Sequence, residues 1–320
     1  MPFALQLPRT LPYYVALALL FASSGTMWGI WIARIPSVAN KLDMGTAQLG
    51  AVLPAFSAGA LVAFPVTAGL TSRCGSRTII RAAGVMRGLL FPALALAPNT
   101  FWLMVALALA GFTHGALDIA LNAQGVEIER RTVGSILSRA HGSFSLGALV
   151  GSVSIGFAAT AGLPLEWQFI IPGVPAVLMF STVSTLLIPD DTTPTPTTQR
   201  LAAKRKWRGA GMLPRALWTI GAIALITGIA DEAIADWAAL LIQRELEATP
   251  LVASLAYSVY SLALLVGRFS GDGISERLPS MRILQIAGVM GAVGMIGSAA
   301  LNSPYAMIGG IAVIGLGFSV

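Results

Sequence analysis

The stretch GFTHGALDIALNAQGVEIERR, Gly111 to Arg131, decides how this chain is read. Immediately upstream the sequence runs FWLMVALALA, so the stretch is the second half of an apolar helix long enough to cross a bilayer. Asp118 therefore falls inside the membrane. At about 100° per residue, His114, Asp118 and Asn122 lie on one arc with Gly111, Gly115 and Gly125 among them, a single polar and sterically open stripe. An intramembrane charge costs at least ~2.5 kcal/mol even on the mildest insertion scale, so an ionisable residue there marks a functional site by default.

The rest of the chain agrees with that reading. Of its 320 residues 56% are hydrophobic and only 11% charged, and the mean hydropathy is +0.78. These values lie outside the usual range of soluble domains and imply an integral membrane protein in contact with the lipid bilayer. The formal charge of +6 does not point to nucleic acid, because the basic residues cluster in short loops between apolar runs, as membrane orientation requires. The one cysteine, Cys74, permits neither an internal disulfide nor a cysteine-based metal cluster. The first run, Leu11 to Ile35, is too long for a signal-peptide core and is read as a retained helix.

Ten apolar runs can be counted: Leu11 to Ile35, Gln48 to Leu70, Thr78 to Ala97, Phe101 to Gly125, Ser138 to Ala161, Gln168 to Ile188, Leu213 to Ile242, Leu251 to Ser270, Ile283 to Leu301 and Tyr305 to Val320. All but the last are long enough to span a ~30 Å hydrocarbon core at 1.5 Å per residue. The last breaks off without a polar closing segment, which reads as a chain cut short. Fifteen lysines and arginines fall on one side of the predicted topology and three, Arg34, Lys41 and Arg244, on the other, with Arg87 and Arg268 inside spans. The bias predicts a cytoplasmic N-terminus and a cytoplasmic middle loop, Pro189 to Gly211. That loop's prolines and threonines suggest an extended linker, and its basic second half a segment lying along anionic headgroups.

The loop divides the chain into a six-helix bundle over 1–188, a linker over 189–212 and an incomplete bundle of four helices over 213–320. Near an offset of about 204 residues the two parts repeat each other, with LGAVLPAFSAGALVAFPVTAGLTSRCGSRTIIR alongside ASLAYSVYSLALLVGRFSGDGISERLPSMRILQ and Arg73 facing Arg277. Parallel repeats of six-helix units are one way to build a secondary transporter, with the site between the halves near mid-membrane.

The loop GLTSRCGSR, Gly69 to Arg77, resembles the signature loop of the major facilitator superfamily, although Ser72 stands where that pattern has aspartate. Its second-half copy, GRFSGDGISERLPSMR, keeps an acid at Asp272 and arginines at Arg268, Arg277 and Arg282. GALDIALNAQ, followed by VEIERR and SRAHGSFSLGALVG, is more specifically similar to the fucose-permease-like branch and its bacterial inner-membrane relatives. The resemblance implies an all-α fold of two pseudo-symmetric six-helix bundles, about ten of whose helices are present here. It also implies that Gly69, Arg73, Gly75, Arg77, Asp272 and Arg277 form a cytoplasmic gate. Asp118 matches the fourth-helix carboxylate that is protonated during transport in the fucose permease. The first-helix acid of that permease has no counterpart in WGIWIAR, Trp28 to Arg34.

Each candidate residue has a plainer alternative. A buried Asp118 can hold a proton in one conformation and release it when a wetter one opens, or it can make a permanent interhelical hydrogen bond. His114, one turn away, can share that proton or fill a polar pocket. Asn122 can meet substrate hydroxyls, whereas Gln124 projects away from the Asp118 arc and reads as structural. In GIADEAIADW, Glu232 and Asp236 share one helix face; with Asp231 they can bind a cationic group, pair with Arg34 or ring a watery mouth. Trp28 and Trp31 can stack on a substrate ring or anchor the helix at the interface. Tyr257 and Tyr260 can reach the cavity from the second half or pack. Arg139 and His141 read as gate or headgroup contacts.

The sequence thus predicts a monomeric bacterial inner-membrane transporter, not an enzyme, that needs no cofactor or metal. It would move a small polar solute such as a sugar by alternating access, with proton-coupled symport through Asp118 and His114, and with Asn122, Trp28, Trp31, Glu232, Asp236, Tyr257 and Tyr260 around the solute. Proton-driven export and a non-transporting membrane sensor are the rival readings.

Overall fold

The computed structural model describes residues 7–131, 136–189, 215–275, 278–300 and 303–319. Among them every regular element is helical: α1 (Leu7–Lys41), α2 (Thr46–Val52), α3 (Pro54–Cys74), α4 (Ser76–Leu90), α5 (Ala93–Leu96), α6 (Thr100–Arg130), α7 (Ile136–Thr160), α8 (Leu165–Thr182) with a 3-10 turn at Val183–Leu186, α9 (Arg215–Arg244), α10 (Pro250–Ser275), α11 (Ser280–Ala300) and α12 (Pro304–Phe318). Eight spans among the described residues are long and apolar enough to cross a membrane. The other two apolar runs are α12, which is shorter, and α9, which carries Asp231, Glu232 and Asp236.

Two of the runs are interrupted, and proline is the cause at each break. α2 stops at Val52 and α3 restarts with Pro54 in its first turn, while α4 stops at Leu90 and α5 follows Pro92. A proline ring lacks the amide N–H and collides with the preceding turn, so the helix is broken or restarted there. The internal repeat persists in the helix starts: Ser76 and Ser280, like Thr100 and Pro304, are 204 residues apart, the separation that also relates Asn40 and Arg244. All but the first residue of the segment Pro189 to Gly211 lies outside the described residues, as do Arg277 and the side chains of Arg268 and Asp272.

Within the first half the helices touch backbone to backbone. A Cβ on Gly25 or Gly29 of α1 would collide with the carbonyls of Phe144 or Ala148 on α7, and one on Gly147 or Gly151 of α7 with those of Ala22 or Thr26. The same arrangement holds α3 against α6, where Gly59 faces Ala108 and Gly111 faces Phe56. Small residues of this kind let membrane helices approach closely enough for dispersion to hold them without a hydrophobic driving force. The ion pair between Lys41 Nζ and Glu166 Oε1, at 2.8 Å with both side chains about a third exposed, adds at most about 1 kcal/mol.

The two halves meet differently. α7 lies along α10, where Ser152 Oγ and Ser258 Oγ are 2.7 Å apart and both buried, and Gly156 abuts Ser254. At one end of the molecule Arg244 Nη2 donates to Asn40 Oδ1 at 2.8 Å and to the Met44 carbonyl at 3.1 Å. One continuous apolar core runs through this junction, from Trp28 and Ile32 on α1 to Ala238 on α9, Tyr260 on α10 and Ile311 on α12.

Candidate functional site

α6 is 31 residues long, about 46 Å at 1.5 Å per residue, so it crosses the membrane and projects beyond it. Asn99 caps its start by accepting from the Trp102 amide at 3.2 Å, and Arg131 pairs with Glu127 at 2.7 Å at its end. That fixed placement sets Asp118 in the wall of a cavity of about 190 Å³ between the halves. The facing wall carries Asp231 and Glu232 on α9 and Tyr257 on α10. The same cavity widens between α3 and α9 into a space of about 670 Å³ that also reaches Asp236.

Asp118 is the end of a hydrogen-bonded chain. The Asn122 amide donates to Asp118 Oδ1 at 3.0 Å and to the Asp118 carbonyl at 2.8 Å, and Asn122 Oδ1 lies 3.0 Å from His141 Nε2 on α7. An amide that donates to the carboxylate presents its oxygen to the histidine, so Nε2 is the protonated ring nitrogen in this arrangement. His114 lines both parts of the cavity, stacked on Trp28 with ring centroids 5.3 Å apart and flanked by Phe56 and Phe144. Its buried Nδ1 has no hydrogen-bond partner among the described residues.

The other candidates separate in space. Trp28 on α1 and Tyr257 on α10 both line the cavity. Trp31 instead faces the interior of the first half, in a small apolar space shared with Arg87 and Phe91. Tyr260 is fully buried and donates its hydroxyl to Asp231. No hydrogen bond or ion pair holds Glu232 or Asp236 among the described residues. Arg34, 4% exposed, donates to Ser37 and forms no ion pair with the α9 acids. Gln124 is buried and donates to Ser76 Oγ at 2.9 Å and the Ile188 carbonyl at 3.1 Å.

At the α3–α4 turn, Gly75 has φ 82°, a conformation that favours glycine, while Gly69 lies within α3. Arg77 donates to the Thr185 carbonyl at 2.5 Å and Arg81 to Ser184 Oγ at 3.0 Å, tying this turn to the end of α8; Arg73 is exposed. His141, expected at a gate or among headgroups, lines the cavity instead, as do Ser145 and Ser261, neither of which the sequence singles out. The facing of RAHGSFS towards α6, on which His141 depends, is set by the glycine contacts of α7 and not by its own periodicity. Among the described residues no group of three His, Cys, Asp or Glu is arranged to hold a metal ion.

The chain is 28% identical over 316 residues to an uncharacterized MFS-type transporter of Yersinia pestis, covering 95% of this chain and 77% of that one. It is 27% identical to the membrane protein MosC of Rhizobium meliloti, covering 95% and 72%. Its fold superposes on the nucleoside transporter NupG with a TM-score of 0.71 at 12% identity, covering 96% of this chain and 79% of the other. A bacterial homolog of the human lysosomal transporter Spinster, in an inward-facing and unoccupied conformation, superposes with a TM-score of 0.65 at 16% identity, covering 98% and 73%. The Yersinia relative, NupG and the Spinster homolog are transporters, not enzymes. The Major Facilitator Superfamily profile matches residues 16–320, and the chain belongs to that family.

Proposed function

We propose that this protein moves a small polar solute across the bacterial inner membrane by alternating access, with proton symport in which Asp118 takes and releases the proton. The observation that carries the reading is the position of Asp118: a carboxylate in the wall between the halves, hydrogen-bonded to Asn122, with no lysine or arginine lining the cavity among the described residues. A carboxylate so placed can take two states. It is ionised when water and Asn122 solvate it, and neutral when the halves close over it.

With the N-terminus in the cytoplasm, the Arg244–Asn40 contact would hold the halves together at the periplasmic end. Rocking would break the Arg244 contact and the Ser152–Ser258 contact while α1 and α7, locked by their glycines, move as one body. The Gly75 turn, with Arg77 and Arg81 holding it to α8, would be part of the cytoplasmic gate, together with Arg73 and the second-half Asp272 and Arg277. We take the working unit to be a monomer, since the cavity is formed within one chain.

Proteoliposomes carrying an imposed pH gradient test the reading directly. Uptake of labelled solutes from a panel of sugars and small amines should be accelerated by the gradient in the native protein and not in Asp118→Asn. Gradient-driven uptake that survives that substitution removes Asp118 as the carrier.

A further inference from the structure

The cavity is lopsided in charge. Asp118 faces it from α6, and Asp231, Glu232 and Asp236 face it from α9, whereas no lysine or arginine lines either part of it among the described residues. Arg87, 4% exposed, shares a small space with Trp28 and Phe56, and its Nε and Nη1 have no hydrogen-bond partner among the described residues. It can offset at most one of the four acids.

Two of those acids are uncommitted. Asp118 accepts from Asn122 and Asp231 from Tyr260, but Glu232 and Asp236 have no hydrogen-bond or ion-pair partner among the described residues. Glu232 is exposed and Asp236 half-buried in the open cavity; once the halves close over them, each must be paired, protonated or in contact with a ligand, because an isolated charge inside a membrane is costly. The walls around them suit one kind of ligand. Trp28, Phe144 and Tyr257 present aromatic rings to the cavity, which attract an organic cation through the ring quadrupole. His114, stacked on Trp28, lines the same cavity, and its buried Nδ1 has no hydrogen-bond partner among the described residues.

We propose that the transported solute is an organic cation, an amine or quaternary ammonium compound of small size, whose charge is met by Glu232 and Asp236 and whose body lies against Trp28 and Tyr257. An anionic solute would face four carboxylates, and a neutral sugar could donate its hydroxyls to Glu232 and Asp236 but would leave their charge uncompensated. The proposal rests on the transport reading only in taking this cavity as the solute site; it makes no use of proton coupling.

Equilibrium binding to the purified protein, without membrane or gradient, separates the two. Thermal shift and calorimetry would compare choline with 3,3-dimethylbutanol, glucosamine with glucose, and spermidine and tetraethylammonium with succinate. At least one cation should bind, with its neutral counterpart at least about tenfold weaker. Glu232→Gln should weaken that cation about tenfold, and Glu232→Asp should restore part of the loss, which a merely structural role of the side chain would not do. Binding of neutral or anionic compounds as tight as the cations, selectivity untouched by Glu232→Gln in a protein that still elutes as the native one does, or no binding by any cation in the panel overturns the proposal. A protein that binds cations but shows no gradient-driven uptake would overturn proton coupling and leave the solute class standing.

Discussion

The two walls of the cavity hold their carboxylates in opposite ways. On the first-half wall Asp118 is fixed by Asn122, which in turn meets His141, while α6 is locked to α3 through glycine contacts. On the second-half wall Glu232 and Asp236 stand in α9 with no partner among the described residues. A tethered acid in a rigid bundle is suited to exchanging a proton at a fixed point. Untethered acids are suited to a ligand that arrives and leaves with its own charge. On the reading proposed above, the proton belongs to one wall and the solute to the other.

The sharpest way to break that division is Asp118→Asn, which keeps the shape and removes the ionisable group. Gradient-driven uptake in proteoliposomes should fall to background while exchange of solute without a gradient persists at a reduced rate; equal loss of both would mean that Asp118 serves the solute too. Glu232→Gln comes next. It should raise the half-saturating concentration of a cationic solute about tenfold, with the dependence of the maximal rate on the gradient retained. If it uncouples uptake from the gradient, the walls do not divide the work.

Smaller effects sharpen the picture. Asn122→Ala removes a hydrogen bond to a charged acceptor, worth about 1.5–3 kcal/mol, and frees His141. It should lower uptake severalfold and displace its pH profile, whereas a purely structural amide would lower uptake at every pH alike. Arg244→Ala removes contacts to Asn40 and Met44 at a partly exposed site, worth up to about 1 kcal/mol, so the closed end should open up to about fivefold more often. Cysteine accessibility at that end would register the change.

Much of this arrangement is legible in the residues. The i, i+4 spacing of Asp118 and Asn122 already joins them on one face, and the apolar runs give the helices, because membrane-spanning segments must satisfy their own backbone. What depends on two helices meeting is not legible. His141 finds Asn122 only because the glycines of α7 let it lie on α1 and turn that face inwards. Trp28 and Trp31, three residues apart, part company because one reaches the cavity and the other turns into the first-half core. The prolines at 54 and 92 are visible in the sequence, but hydropathy averages over them and hides the breaks.

The account depends most on Asp118 changing its protonation state. Infrared difference spectroscopy of the reconstituted protein across a pH titration addresses that group directly. The account predicts a carboxyl C=O band, absent in Asp118→Asn, that appears and vanishes reversibly as pH is varied and is altered by bound solute. A band that stays constant at every pH, or no band assignable to Asp118 at all, would contradict it.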